Sequence, residues 1–552
     1  MTAGFLTSLE QAKGSYGDGC AEAKLRLLRQ LDRSRLRSSG AVLRLHEILC
    51  FLRAYPDDPQ VLAQVERMLG NFHRRADLRR HRAALADTGV AGTAIHYRFF
   101  WGSARWLARR WPEALAFDRR DREAEEKLAG ALPLLVTPAE AAWLKEGGMR
   151  AYAALDRLRA QGETDAVYFV RRVEAMAGDE ATHEAFFDSI DASCVLKARS
   201  DSPSHSREKY PHEHIAYRKN PLRHSRPDLR EEIALAPRAI RELSFREALA
   251  VLDLARGAMV LRERDLDAFS YGDSRDVRMV EDGGGLSFVL NGVVPGRRAW
   301  LSALYGYLIL QNGVLVGYGD LILSWRSASV AFNTFETFRG GEAAWNLARL
   351  FAAMHHTFGT ESFSLAPYQI GRGNEEAIAT GAWWFYFKLG FRPRAEEARR
   401  VVGIELARAK ANSAYRSDRA TLRKLASWTL HLELDPSRPA PELPVAEIGM
   451  RVAHGLAARA GADRERAVRQ CIHEAMRLTG LRSLQGFTPE ERLAWTRWSP
   501  VIVALSGLPR WSKAERRALI RVIRAKGGRR ESDFVALFAA HPKLEQALIE
   551  TG

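Results

Sequence analysis

Apolar residues recur at helical spacing through the first 195 or so residues. After Asp58-Pro59, the positions Val61, Leu62, Val65, Met68, Leu69 and Phe72 repeat every three to four residues. Asp58 can cap this helix, and a proline suits the first helical position. Thr137-Pro138-Ala139-Glu140 adds a capping box, so a second helix is predicted from there to Arg159. Residues 1–195 are therefore predicted to form a helical domain.

The helical pattern fails between about Lys197 and Pro237. This stretch holds prolines, serines and many arginines, together with His205, His212, His214 and His224. Four histidines raise the possibility of a metal site, but their spacing does not match that of known zinc ligands. A solvated basic connection is the other interpretation, and we predict a linker over 196–237.

Beyond residue 280 the hydrophobic period changes from that of helices to that of strands. Leu286–Leu290, Leu304–Leu310 and Val314–Leu323 are β-rich runs, and Asn312-Gly313 between the last two predicts a hairpin. A further strand, Ser329–Phe338, is followed by Arg339-Gly340-Gly341 and then by a helical pattern. Another strand, Ser362–Ile370, a glycine turn and a helix, Asn374–Lys388, are predicted before Arg392-Pro393. We predict one α/β unit here.

The glycine loop before that helix is a candidate phosphate seat. Glycines allow close approach to the backbone, Arg339 adds positive charge, and the start of a helix presents unpaired N–H groups. Glycine turns between a strand and a helix are also common as purely structural features, so both interpretations stay open at this point.

The remaining chain is predicted to be mainly helical. Residues 435–444 are proline-rich and read as a stiff linker, and Thr488-Pro489-Glu490-Glu491 provides another capping box. The predicted organisation is a helical domain over 1–195, a linker over 196–237, an α/β domain over 238–400, a helical extension over 401–434, a linker over 435–444 and a basic helical domain over 445–552.

Charge is informative only where it clusters. The 552 residues carry 83 Lys and Arg against 67 Asp and Glu, a net charge of +16. Arg510–Arg530 holds nine Lys or Arg and the single acid Glu515. The net charge of this segment, 9 − 1 = +8, is half of that of the whole chain. The segment fits a basic amphipathic helix able to meet nucleic acid, an anionic surface or an acidic partner, or else the solvated face of a helical bundle.

Other compositional features narrow the class of protein. No apolar run approaches the roughly 18–20 residues of a membrane span, and we expect a cytoplasmic protein. The four cysteines are far apart, so neither a disulfide framework nor a bound metal is predicted.

Aromatic and arginine residues are interleaved along residues 96–111. This pattern occurs in single-stranded nucleic-acid sites, but the helical spacing from Trp101 to Trp111 favours a buried stripe.

The segment Trp384-Phe385-Tyr386-Phe387-Lys388-Leu389-Gly390-Phe391 resembles the Tyr-x-Lys-x-Gly-Phe signature of the GNAT acetyltransferase superfamily. The upstream hairpin, strand and glycine loop stand where that fold has them, and the resemblance covers roughly residues 240–395. It implies a mixed α/β (α+β) fold: a central GNAT-like sheet with flanking helices, set between the two mainly helical domains. Two departures are visible: Glu342 replaces a loop glycine, and Asn374 precedes Tyr386 by 12 residues rather than about seven.

The resemblance also implies a reaction and a set of site residues. The implied reaction is acyl transfer, with acetyl as the expected group, from acetyl-CoA or another acyl-CoA to a small-molecule or protein amine; Tyr386 is the implied acid for the departing thiolate and Glu336 the candidate base. Coenzyme contacts by motif position are Thr337, Phe338, Arg339, Gly340, Gly341, Ala343, Ala344 and Asn374. The alternative is a non-catalytic protein of this fold that binds nucleic acid or an acidic partner through its basic helices.

Overall fold

The computed structural model describes residues 2–211, 214–339 and 341–551. The chain divides into two compact units. The first unit comprises Met1–Leu222, Leu249–Tyr271 and Gln311–Leu315, and the second comprises Arg223–Ala248, Gly272–Leu310 and Val316–Gly552.

The first unit is mainly helical. Its helices up to residue 190 are α1 (Thr2–Ala12), α2 (Cys20–Arg33), α3 (Ser39–Ala54), α4 (Pro59–Gly70), α5 (Ala76–Arg80), α6 (Trp101–Arg110), α7 (Arg122–Leu135), α8 (Pro138–Glu146), α9 (Ala151–Leu158), α10 (Asp165–Glu174) and α11 (Glu180–Ile190). Three short strands, β1 (Ile95–Tyr97), β2 (Leu115–Phe117) and β3 (Cys194–Leu196), form an antiparallel sheet in the order β1-β3-β2.

The helix starts predicted in this unit are confirmed. Asp58 accepts hydrogen bonds from the first-turn amides of α4, and Thr137 and Glu140 form a reciprocal capping box on α8. The predicted helix to Arg159 is broken between α8 and α9, however. Gly147-Gly148 lies at the break and Gly148 has φ +51°, which the right-handed helix does not allow.

Helix α6 carries the aromatic and arginine pattern of residues 96–111. Trp101, Leu107 and Trp111 are buried, while the neighbouring Arg105 and Arg109 form ion pairs with Glu180 and Glu174. Because Trp101, Leu107 and Trp111 are covered by the core, the buried-stripe interpretation holds for this face of α6; Phe100, just before the helix, is exposed.

The segment after β3 is packed rather than solvated over residues 202–208. Ser202, Ser204, Ser206 and Glu208 are all buried. The guanidinium of Arg53 on α3 donates hydrogen bonds of 2.7 and 2.8 Å to the carbonyl oxygens of Ser206 and His205. Backbone acceptors that lie 150 residues further along the chain are thus fixed to a buried helix, in contrast to the predicted solvated connection.

The second unit is built on one large sheet. Its region of the chain contains α12 (Leu229–Ala234), β4 (Ala239–Glu242), α13 (Phe245–Val260), α14 (Asp267–Ser270), β5 (Gly272–Gly283), β6 (Leu286–Val293), β7 (Ala303–Gln311), β8 (Val314–Ser324), β9 (Ser327–Val330), β10 (Asn333–Thr334), α15 (Ala343–Phe358), β11 (Ser362–Leu365), α16 (Glu375–Thr380), α17 (Ala382–Lys388), β12 (Arg392–Pro393), α18 (Glu396–Ala411), α19 (Arg419–Leu425) and β13 (Leu430–Glu433). Helix α14 and the part of α13 from Leu249 onward belong to the first unit.

The sheet is mixed, with the strand order β12-β13-β11-β9-β8-β7-β6-β5-β4 and β10 paired to β8. Strands β9 and β11 are parallel, whereas β13 is antiparallel to β11. The predicted hairpin is confirmed: Asn312 and Gly313 both have positive φ, +50° and +77°, as a type I′ turn requires. The mixed α/β architecture with flanking helices is therefore confirmed.

The chain ends in a helical region that includes α20 (Val445–Ala460), α21 (Arg464–Thr479), α22 (Pro489–Ala504), α23 (Lys513–Lys526), α24 (Glu531–Ala539) and α25 (Leu544–Thr551). Thr488 and Glu491 form the predicted capping box. Phe538 of α24 stacks on Trp325, with ring centroids 5.4 Å apart, and contacts Trp498 of α22. Across the described ranges, no helix has the length and apolar character needed to cross a membrane.

Candidate functional site

The strand that leads to the glycine loop is interrupted at Ala331 and Phe332, between β9 and β10. Its register with β8 is the same on both sides, from Ser327–Ser324 to Val330–Leu321 and again at Asn333–Tyr318, and the Ala331 N–H donates a hydrogen bond of 3.0 Å to the Asp320 carbonyl. Between these, the carbonyl oxygen of Ala331 accepts a hydrogen bond of 2.6 Å from the Tyr307 hydroxyl. This backbone carbonyl is thus satisfied by a side chain on β7.

Gly319 on β8 leaves room for the carbonyl oxygen of Ala331. A Cβ at this position would lie 1.9 Å from the Ala331 carbonyl oxygen and 2.5 Å from the Tyr307 hydroxyl. Glycine inside a strand often marks such a close backbone approach. Sequence reasoning missed Tyr307, Gly319 and Ala331, although the Gly-Tyr-Gly run at 317–319 in a predicted strand was a usable signal.

The parallel pairing of β9 with β11 ends shortly before Ala331. Strand β11 pairs with β9 over Ser327, Ala328 and Ser329, whereas the chain continues through β10 with its pairing to β8. The pairing with β11 therefore ends before Ala331 is reached. The residues that follow stay paired with β8, through the Ala331 N–H to the Asp320 carbonyl and through β10.

Glu342 stands at the start of α15 and is buried. It makes no side-chain cap hydrogen bond to the helix; instead one carboxylate oxygen accepts a hydrogen bond of 2.9 Å from the backbone N–H of Arg223. The Arg223 guanidinium lies 4.1 Å from the centroid of the Trp345 ring in the first turn of α15. The helix start therefore has a cation beside it, and the carboxylate of Glu342 is engaged with Arg223 rather than with the first-turn amides.

The other loop residues differ in their surroundings. Arg339 is exposed and forms an ion pair with Glu376, Gly341 is buried, and Ala343 and Ala344 are partly exposed. Gly340, a predicted coenzyme contact, lies outside the described residues.

Glu336, the predicted base, lies in a 3-10 turn, Glu336–Phe338, and not on the predicted strand to Phe338. Phe335 and Phe338 are buried and three residues apart, a spacing that places both on one face of a 3-10 turn. Glu336 itself is exposed and Thr337 is half-buried. Alternating apolar residues suggested a strand here, but the two phenylalanines require the tighter period.

Asn374 is the N-cap of α16. Its side-chain oxygen accepts a hydrogen bond of 3.1 Å from Ala377 N–H, and its amide donates to the Tyr368 carbonyl at 3.3 Å. Helix α16 ends at Gly381, where φ is +68°, and α17 begins at the next residue. The 12 residues from Asn374 to Tyr386 thus span two short helices, α16 and the start of α17.

Tyr386 on α17 is buried, with 4% of its surface exposed. Its ring packs edge-on against Phe391 and Phe385, and its hydroxyl has no hydrogen-bond partner among the described residues. Burial raises the pKa of Tyr386 well above its ordinary value. The pKa of Tyr307 is raised by burial and by the electrostatic effect of Tyr386.

The basic segment Arg510–Arg530 is partly committed to the protein. Five of its nine cations contact other residues: Arg516, Arg524, Lys526, Arg529 and Arg530. Arg510, Lys513, Arg517 and Arg521 are exposed and have no ion-pair partner in the described part of the chain. Lys513, Arg517 and Arg521 are four residues apart and so share one face of α23.

No group of three or more His, Cys, Asp or Glu side chains in residues 2–211, 214–339 and 341–551 is arranged to hold a metal ion. Of the four histidines in the predicted linker, His212 lies outside this part of the chain, and His205 is bound to Glu208 at 2.9 Å.

Comparisons of the chain with protein-family models, with curated proteins and with solved structures found no match.

Proposed function

We propose that residues 238–400 form a GNAT-like domain that transfers an acyl group from acyl-CoA, acetyl-CoA in the first instance, to an amine. The observation that carries this proposal is the parallel pair β9 and β11, connected by the glycine loop and α15. The pairing ends before Ala331, where the superfamily has a splayed strand that receives the thioester. The antiparallel β13 beside β11 and the short β12 beyond it also agree with that fold.

The start of α15 is the proposed seat of the coenzyme pyrophosphate. The helix dipole and the first-turn amides favour an anion there, and Arg339 and Arg223 supply positive charge. Glu342 is the residue that opposes this assignment. Its carboxylate is bonded to the Arg223 N–H, which reduces its repulsion of an anion placed at the amides of Ala343 and Ala344.

The proposed chemistry forms a C–N bond and breaks a C–S bond. The neutral amine attacks the thioester carbonyl, whose developing negative charge is stabilised by a backbone N–H at the interruption between β9 and β10; the Ala331 N–H itself is bound to the Asp320 carbonyl. Glu336, exposed on its turn, takes the amine proton directly or through water. Tyr386 gives its proton to the departing thiolate; burial keeps this tyrosine protonated, since it raises the pKa.

Calorimetric titration with acetyl-CoA tests the coenzyme site. We expect binding at micromolar concentrations and at least about tenfold weaker binding for Arg339→Gln, because a charged contact to phosphate is lost. Arg326→Gln is the matched control, since Arg326 is similarly exposed and also forms an ion pair with a glutamate, Glu361. Absence of binding at high micromolar coenzyme, or binding unaffected by changes at Arg339 and Gly341, would remove the catalytic proposal.

A second candidate function rests on the exposed cations of α23. Lys513, Arg517 and Arg521 form one row on the helix surface, and Arg510 lies just before the helix. Such a row can neutralise consecutive phosphates or an acidic peptide. The corresponding hypothesis is that the protein binds nucleic acid or an acidic partner through this face, with or without catalysis.

Salt-dependent retention on DNA or heparin tests the second candidate. Replacing Lys513, Arg517 and Arg521 by glutamine should weaken retention strongly and lower the magnitude of the slope of log K against log salt by about three. Arg524→Gln is the control, because Arg524 is held by Glu491 in a contact of 3.0 Å. Equal retention of the triple variant and the unaltered protein would contradict a role for this face.

A further inference from the structure

A cavity of about 270 Å³ lies within the first unit. It is formed between the end of α6, the segment 201–208 and the residues from Asp253 in α13 to Leu261 just after that helix. The cavity is smaller than most pockets for drug-sized ligands, which occupy roughly 300–1,000 Å³. Its size suits a molecule with a single ring.

One side of the cavity is apolar and aromatic. Trp106 and Trp111 meet edge to face with ring centroids 5.1 Å apart, and Leu254, Ala258 and Leu261 complete this side. Gly257 leaves the space open: a Cβ there would lie 3.5 Å from Pro203 and 4.0 Å from Trp106. An apolar ring would therefore find flat and aliphatic surfaces to cover it.

The carboxylates of the cavity wall already have partners. Glu208 accepts hydrogen bonds of 2.7 and 2.9 Å from Arg262, and Asp253 accepts one of 3.0 Å from Trp106 Nε1. Asp201 is exposed, lies 3.9 Å from Arg199 and interacts electrostatically with Arg207. Two of the three carboxylates, those of Glu208 and Asp253, are therefore already engaged by neighbouring side chains.

The two arginines of the wall, unlike Glu208 and Asp253, form no ion pair with a described side chain. Arg110 and Arg207 have no ion-pair partner in the structure as described; Arg110 lies 5.8 Å from the centroid of the Trp111 ring, and Arg207 donates to the Ser202 carbonyl. Two wall residues, Ser204 and Trp111, also have a buried polar atom, Oγ and Nε1, without a hydrogen-bond partner. The wall therefore offers two exposed guanidinium groups and two polar atoms that no described neighbouring side chain has engaged.

The polar side of the cavity is held in place from behind. His46 Nε2 lies 2.8 Å from Ser206 Oγ, and the Arg53 guanidinium binds the carbonyls of His205 and Ser206. Because buried side chains fix this segment, a ligand would meet a preformed wall and would lose little affinity to ordering it.

We propose that this cavity binds a small organic anion with an apolar, ring-sized body, whose carboxylate or phosphate contacts Arg110 and Arg207 while the body lies between Trp106 and α13. The proposal does not depend on acyl transfer, since none of these residues belongs to the proposed coenzyme site.

Ligand-observed NMR and calorimetry with four probes of the same size test the charge preference. Phenylacetate and phenyl phosphate should bind, and whichever binds more tightly identifies the anionic group. We expect 2-phenylethylamine and 2-phenylethanol to bind at least about tenfold more weakly, because they lack the charge that the arginines recognise. No binding of either anion at 10 mM, on the order of the weakest useful affinities, or equal binding of acid and amine, would overturn the proposal.

Two kinds of variant locate the binding. Arg110→Gln with Arg207→Gln should weaken anion binding by about tenfold or more, whereas Arg157→Gln, which changes an exposed arginine of α9 outside the cavity, should leave it unchanged. Gly257→Leu should abolish binding by filling the cavity, and Gly257→Ala, which adds only the tolerated Cβ, should retain most of it. Thermal unfolding of each variant checks that the fold is intact. Anion binding that persists in both the double arginine variant and a folded Gly257→Leu variant would place the site elsewhere.

Discussion

The Tyr307 hydroxyl donates a hydrogen bond of 2.6 Å to the carbonyl oxygen of Ala331, at the point where the strand pairing of β9 with β11 has ended. Tyr307 is fully buried, so the bond fixes the interrupted stretch of backbone between β9 and β10 from inside the sheet. The proposed acyl transfer uses backbone groups of that stretch, and the fold must therefore hold it rigidly.

Gly319→Ala should disrupt this arrangement. Its Cβ would lie 1.9 Å from the Ala331 carbonyl oxygen, and a backbone atom cannot be displaced at low cost. We expect a loss of roughly 2–4 kcal/mol in the free energy of unfolding, measured by urea denaturation. Gly403→Ala in α18 is the control: nothing lies within 4 Å of its Cβ, and alanine should stabilise that helix by about 0.5–1 kcal/mol. Equal stability of the two variants would show that the Ala331 carbonyl can move away from residue 319 at little cost.

Tyr386→Phe tests the proposed acid. The hydroxyl has no hydrogen-bond partner among the described residues, so its removal should leave stability and coenzyme affinity nearly unchanged. Loss of proton donation to the thiolate should lower kcat by about 10²-fold or more. The measurement is the steady-state rate of thiol release, with calorimetric affinity for acetyl-CoA as the second readout. Tyr368→Phe, at a tyrosine that is 59% exposed, should change neither; an unaltered kcat in Tyr386→Phe would assign Tyr386 to packing alone.

Local signals in the sequence predicted many elements because the deciding residues are neighbours. Thr137 with Glu140 and Thr488 with Glu491 each lie within one helical turn, and Asn312-Gly313 determines its own turn. Such features need no information from distant parts of the chain, and they are confirmed.

Features that depend on distant contacts were not accessible in the same way. Ser206 and Glu208 are polar and lie in a proline- and arginine-rich segment, yet they are buried because Arg53 and Arg262 bind this segment from elsewhere in the chain. Of the candidate site, the motif located Tyr386 and Asn374. The position of the Ala331 carbonyl, in contrast, depends on Tyr307 and Gly319, which lie on two other strands.

Lys526→Met tests how much of the basic segment is structural. Lys526 is buried, forms an ion pair with the fully buried Glu531 and donates to the Ser302 carbonyl at 2.7 Å. Removing the cation leaves a buried carboxylate with a weaker set of partners, which should cost about 3–5 kcal/mol. Lys513→Met, on the exposed face of the same helix, should alter stability by no more than about 0.5 kcal/mol. Chemical denaturation compares them, and a Lys526→Met variant as stable as the control would contradict this structural role.

Glu208→Gln tests the charge balance behind the cavity of the first unit. Burial alone would raise the pKa of Glu208, but Arg262 and His205 lower it from 4.5 to about 2. A depressed carboxyl pKa stabilises the folded state above pH 4.5, and the stabilisation is lost as the pH falls from 4.5 toward 2. The shift corresponds to roughly 3 kcal/mol for this buried group.

The difference in unfolding free energy between the unaltered protein and Glu208→Gln should therefore be largest at neutral pH and should shrink progressively below pH 4.5. Urea denaturation followed by circular dichroism at several pH values measures it. Glu66→Gln is the matched control, because Glu66 also pairs with a basic residue, Lys209 at 2.7 Å, but both side chains are partly exposed; its effect should stay below about 1 kcal/mol. A difference for Glu208→Gln that does not change with pH would show that shape and hydrogen bonding, rather than the charge of Glu208, stabilise the wall of the cavity.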